Sequence, residues 1–112
     1  MKPGARIQAA IEVLDAIIST HQPAAKALSD WGKVHRFAGS GDRSAIGNLV
    51  YDALRKKQSI AHRFDNDRPR ALAIGAAPRA LGIDTSAIIA ACDGSKHSPE
   101  QLSEKEVRAL RG

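Results

Sequence analysis

Residues 42–64 read DRSAIGNLVYDALRKKQSIAHRF, and this stretch decides the fold class. Ile46, Leu49, Val50, Ala53 and Leu54 return every three or four residues, which gathers them on one face of a helix. Asp42 is a suitable N-cap, because its carboxylate can accept the free N–H groups of a first turn. The spacing predicts one helix from Asp42 to about Phe64. Gly47 inside it costs about 1 kcal/mol relative to alanine. Close approach of a neighbouring helix would explain that residue. Arg55, Lys56, Lys57 and Arg63 crowd the later half, with positions 56 and 63 near one face.

The same period extends to both sides. Pro3 suits the first turn of a helix, where its missing N–H has no partner to lose. Ile7, Ala10, Ile11, Leu14, Ile17 and Ile18 then form an apolar stripe that ends at Ser19, Thr20 and His21. Pro23 begins a second helix with Ala24, Ala27, Leu28 and Trp31 inside, and Trp31 is expected to anchor the core. Gly39, Ser40 and Gly41 make a break. Downstream, Asp65-Asn66-Asp67 is another break, and Pro69 opens a helix carrying Leu72, Ile74, Ala76 and Ala77. Pro78 should end or kink it. Asp84 or Thr85 caps a short helix with Ile88, Ile89 and Cys92, and Gly94 stops it. Ser98-Pro99-Glu100, or Ser103 with Glu106 at capping-box spacing, opens a last segment with Leu102, Val107 and Leu110. No segment alternates long enough to be a strand. The expectation is an all-α bundle of five to six helices.

At 112 residues, 43% apolar and 26% charged, the chain is sized for one globular domain with a real core. One cysteine allows no internal disulfide, which suits a reducing cytoplasm. Glu12 and Asp15 interrupt the first apolar pattern, so no secretory signal is read there. No run approaches a membrane span, and no membrane partner is expected.

The net charge is +5, and its position matters more than its size. From Lys33 to Arg79 there are ten basic and four acidic residues; the remainder holds seven and eight. Clustered Lys and Arg hold phosphates by charge and counterion release without reading bases. The plain alternative is a solvated helix face, with cations favoured near a helix C-terminus. Aromatic residues are only 4%, so readout of unpaired bases by stacking is not expected.

No other chemistry stands out. His21, His35, His62 and His97 are scattered, without the i, i+3 or i+4 pairing of a helical metal site. Cys92 lies on an apolar stripe and reads as a buried free thiol. The Gly39-Ser40-Gly41 turn lacks the lysine and spacing of a phosphate loop, and Asp42 would repel an anion. No catalytic residue, metal ligand or cofactor site is assigned to this chain.

Residues 42–55, with an Asp-Arg pair and then Leu49-Val50-Tyr51 and Leu54-Arg55, resemble the signature helix of the NusB-like fold. More of the chain is similar to the N-terminal domain of the RsmB/Sun family of RNA 5-methylcytosine methyltransferases, in the form found in alphaproteobacteria. The stretches MKPGARIQAAIEVLD, DWGKVHRFAGSGDRSAIGNLVYDALR, PRALAIGA and CDGSKHSPEQLSEKE carry that resemblance across nearly the whole length.

The resemblance implies a NusB-like bundle over residues 1–97 that binds RNA, ribosomal RNA above all. Residues 98–112 would be a C-terminal helix or the start of a linker to a catalytic domain absent from this chain. That domain would bind S-adenosylmethionine and carry the two reactive cysteines; Cys92 matches neither motif. Lys2 and Arg6 fall at the N-terminal basic positions used by the antitermination proteins of this fold. Asp42, Arg43, Tyr51 and Arg55 would mostly cap, pack and pair ions. Together with the charge cluster, the candidate RNA contacts are Lys2, Arg6, Lys33, Arg36, Arg43, Arg55, Lys56, Lys57 and Arg63. The competing expectation is a protein-interaction or antitermination-type module without a methyltransferase partner.

Overall fold

A computed structural model describes all 112 residues and contains seven helices and no strands. They are α1 (Pro3–Thr20), α2 (Ala24–Val34), α3 (Ser40–Arg55), α4 (Lys57–Phe64), α5 (Pro69–Leu81), α6 (Thr85–Ala91) and α7 (Glu104–Arg111). The chain is all-α, with one helix more than the upper expectation.

The extra helix comes from a break at Lys56. An unbroken helix would place Lys57 on the core stripe, four residues after Ala53 and three before Ile60. Instead Lys56 leaves helical geometry (φ −105°, ψ 19°), and its N–H donates to the carbonyls of Asp52 and Leu54. Lys57 turns out to solvent, while Ile60 and Phe64 are buried. Asp65 then closes α4 in the left-handed conformation (φ 50°), and the N–H of Asn66 reaches back to the Ala61 carbonyl at 3.1 Å.

The core is built on α5. Ala71, Leu72, Ala73, Ile74, Ala76 and Ala77 are all buried, so this helix is enclosed on every side rather than along one stripe. It touches α1, α3, α4, α6 and α7. Gly75 shows why α4 can come so close: a Cβ there would lie 2.5 Å from Ile60 Cγ2 and 3.1 Å from Phe64 Cε1. Close approach was expected at Gly47, but a Cβ at that position would meet nothing within 4 Å. Pro78 does not stop α5, which continues to Leu81 and closes at Gly82 (φ 67°). Pro78 lies so near the C-terminus that only the last turn loses a hydrogen bond.

Two further expectations change. The N-cap of α3 is Gly39, without a side-chain hydrogen bond, and Asp42 lies inside the first turn. Its carboxylate is taken up by Arg6, as described below. Trp31 is partly buried and packs against the margin of the core, whose large fully buried side chains include Ile7, Leu14, Ile46, Leu49, Leu72 and Ile74.

Residues 98–112 fold with the bundle. Leu102 and Leu110 belong to the same core as the earlier helices. Ser103 caps α7: its hydroxyl accepts from the Glu106 N–H at 3.1 Å, and its own N–H donates to Glu106 Oε1 at 2.9 Å. Arg70 locks this end to α5. Its Nε donates to Glu106 Oε2 at 2.8 Å and its Nη2 to Oε1 at 3.1 Å, with a further bond to the Glu100 carbonyl at 2.8 Å. Partial burial works against the charge of Glu106, but the bonds from Arg70 and Ser103 outweigh it and hold its carboxyl below the ordinary range.

Two measurements check this packing. Gly47→Ala should raise stability by about 0.5–1 kcal/mol in urea unfolding, since it gains helix propensity and meets nothing. Gly75→Ala should instead lower it by about 1–3 kcal/mol through overpacking against Ile60. For Glu106, the folded form holds the lower pKa. Its contribution is therefore complete above the ordinary glutamate value of about 4.3 and lost as pH falls through the lowered one. Glu106→Gln should remove that part of the acid destabilisation in a pH series of thermal melts.

Candidate nucleic-acid interface

The nine candidate cations do not form a single surface. Three of them converge where α2 ends and α3 begins. Lys33 lies in the last turn of α2, Arg36 follows it, and Arg43 lies in the first turn of α3. They line a concavity of about 500 Å³ with Leu28, Ser29, Gly32 and Ile46, and no carboxylate is among the lining residues. Arg43 lies across α2, with its Nη2 3.4 Å from the Gly32 carbonyl, and Arg36 Nε donates to the Lys33 carbonyl at 3.4 Å. Each guanidinium spends one weak donor on the backbone and keeps others free for an anion.

Lys56 and Arg63 share a second concavity, between α4 and α5, together with Arg79 and Asp52. The shared face expected for positions 56 and 63 is present. Arg79 completes this group, and its place in it is set by the α4–α5 packing, which local spacing does not reveal. The two groups sit near opposite ends of α3, about 20 Å apart at 1.5 Å per residue.

The remaining candidates are dispersed or already paired. Arg6 donates to Asp42 Oδ1 from Nε at 3.0 Å and approaches it with Nη2 at 2.9 Å. The N-terminal ammonium of Met1 meets the same oxygen at 3.2 Å. The Arg6 hydrogen bond, helped by that ammonium, holds the Asp42 carboxyl below its ordinary range. Arg55 pairs with Asp52. Lys57 is exposed, apart from both concavities. Lys2 lines a third hollow, beside Lys96, at the start of α1.

That third hollow holds a feature the residue spacing did not suggest. Trp31 and His35 stack with ring centroids 4.2 Å apart and planes 9° from parallel. Phe37 meets His35 edge-on at 5.9 Å. The i, i+4 spacing of Trp31 and His35 was the available signal, but α2 ends at Val34, so His35 is placed by its cap geometry. There Nδ1 of His35 lies 2.9 Å from the Trp31 carbonyl.

Cys92 is buried at 1% exposure, and burial pushes its thiol up to about 11. The thiolate, which is the nucleophile, is therefore scarce at neutral pH. The native protein should react with a thiol reagent at pH 7 at least about a hundredfold more slowly than free cysteine, and urea should restore the rate. A stopped-flow labelling course with and without denaturant measures both.

No group of three or more His, Cys, Asp or Glu is placed to hold a metal ion, and no helix is long and apolar enough to cross a membrane. In comparisons with known proteins, no family model, no curated protein and no solved structure matches the chain.

Proposed function

We propose that this chain is a non-catalytic RNA-binding domain of NusB-like type, which seats ribosomal RNA for an S-adenosylmethionine-dependent cytosine-5 methyltransferase domain of the same polypeptide. The observation that carries the binding half is the Lys33–Arg36–Arg43 concavity: three cations around one hollow, with no carboxylate in its lining. Such a cluster attracts a phosphodiester backbone and gains from release of its counterions. The methyltransferase half rests on the resemblance of residues 1–15, 30–55, 69–76 and 92–106 to that family.

The chemistry of the chain supports a division of labour. Base methylation through a covalent adduct needs an accessible thiolate. Cys92 is buried and its thiol is raised, so it takes no part. In this reading the cofactor and the reactive cysteines belong to the catalytic domain, and the bundle contributes affinity and orientation. The second basic group is weaker for the same task, because Asp52 shares its concavity.

The test is a salt series. The affinity of the chain for ribosomal RNA fragments should fall with rising salt. Replacing Lys33, Arg36 and Arg43 together by alanine should reduce the slope of log K against log salt by about two units for a single strand. The exposed pair Lys26 and Asp30 gives a control: Lys26→Ala should change little. No binding at low salt would overturn the reading.

A further inference from the structure

We propose that the hollow between the start of α1, the end of α2 and residues 95–98 seats an unpaired base of single-stranded RNA. The proposal rests on the RNA-binding reading above and deepens it by assigning a place to the base. Four observations converge on it.

The hollow has the right walls. It measures about 440 Å³ and is lined on one side by Trp31, His35 and Phe37, within the range of small-ligand pockets. Bases stack on aromatic rings of any kind, which is how single strands are held without a duplex. Here two rings are already stacked and a third stands edge-on at the mouth.

The stack is left open. Phe37 is 73% exposed and the neighbouring Val34 78%, the two most exposed large apolar side chains of the molecule. The indole N–H of Trp31 is buried without a hydrogen-bond partner in the protein, an uncommon condition for a polar group.

The charge suits a nucleotide. Lys2 and Lys96 stand in the lining, where they would meet the phosphates flanking a base. Glu12 is the carboxylate of this hollow, and Gln8 Nε2 donates to it at 3.3 Å. That pair offers an acceptor and an amide to the polar edge of a base.

The hollow and the phosphate trio draw on the same short run of chain, residues 31–37. Trp31, His35 and Phe37 line the hollow, and the interleaved Lys33 and Arg36 line the other concavity. In this proposal a strand held at Lys33, Arg36 and Arg43 turns one base toward Phe37, the residue that follows Arg36. The low aromatic content argued against stacking; the placement of three rings together outweighs the small total.

Trp31 is the only tryptophan, so its fluorescence reports on this hollow alone. The whole chain is titrated with oligoadenylate of about ten nucleotides, with an abasic ribose-phosphate oligomer of equal length, and with a duplex RNA of equal length. Oligoadenylate should shift or quench the Trp31 emission and bind about tenfold more tightly than the abasic oligomer. Phe37→Ala, at a site already exposed, should bring oligoadenylate down to the abasic level with the circular dichroism unchanged. Equal binding of oligoadenylate and abasic oligomer, with Phe37→Ala neutral, overturns the base site and leaves phosphate binding standing. Failure of every arm overturns both. A dimer seen in sedimentation and broken by Phe37→Ala, with RNA affinity unmoved, assigns the face to a second copy and overturns the proposal.

Discussion

The core of this bundle depends on how closely α1, α3, α4, α6 and α7 can approach α5. That helix is made mostly of alanine and glycine where it is enclosed, with Leu72 and Ile74 as its large buried side chains. Small side chains bring backbones together, and the neighbours then supply the bulk. Ile60 fills the space beside Gly75, while Ile46, Leu49 and Val50 of α3 and Ile7, Val13 and Leu14 of α1 complete the same core. The break at Lys56 follows from the same constraint. A straight continuation of α3 would direct Lys57 at the core, whereas the break presents Ile60 and Phe64 to α5 and frees the lysine. At the far end, Arg70 extends from the first turn of α5 and ties α7 down through Glu106. Charge-assisted bonds of this bidentate kind fix orientation as well as contributing energy.

The charge surplus looks different once it is folded. Cations at Arg6 and Arg55 are spent on Asp42 and Asp52 and so stabilise the bundle locally. Of the other candidates, Lys33, Arg36 and Arg43 collect at one end of α3 and Lys56 and Arg63 at the other, while Lys57 and Lys2 stand apart. Of these two ends, only the α2–α3 corner lacks a carboxylate in its lining. A net charge of +5 would not have distinguished these places.

Much of the architecture was legible in the residues. Apolar spacing gave the helices around Ile7–Leu14, Ile46–Leu54 and Ile88; local chemistry narrowed the caps to Asp84 or Thr85 and to Ser98 or Ser103, and the structure takes Asp84 and the Ser103–Glu106 box. These features depend on residues a few positions apart. What escaped depends on distant partners. Asp42 has the chemistry of a cap, but Arg6, 36 residues earlier, claims its carboxylate. Gly47 and Gly75 are both glycines within helices, and only the α4–α5 packing makes one of them indispensable. Of the candidate site, the Lys56–Arg63 face followed from helical spacing. The convergence of Arg43 on Lys33 and Arg36 needed the angle between two helices, and the stacked rings needed the cap conformation of His35.

The attachment of α2 has a consequence for how the face behaves in time. This helix buries only Ala27 and Gly32 fully and touches only α1 and α3. Regions with few buried contacts open by local fluctuation at free energies well below global unfolding. The segment that carries Lys33, Arg36 and Trp31 is thus mounted on one of the more detachable parts of the bundle, whereas α5 is enclosed by five helices. A ligand spanning α2, Arg43 of α3 and Lys2 at the start of α1 would clamp that segment shut. Its binding would register as slowed hydrogen exchange along α2, and the affinity it shows would already include the free energy of holding the helix in place.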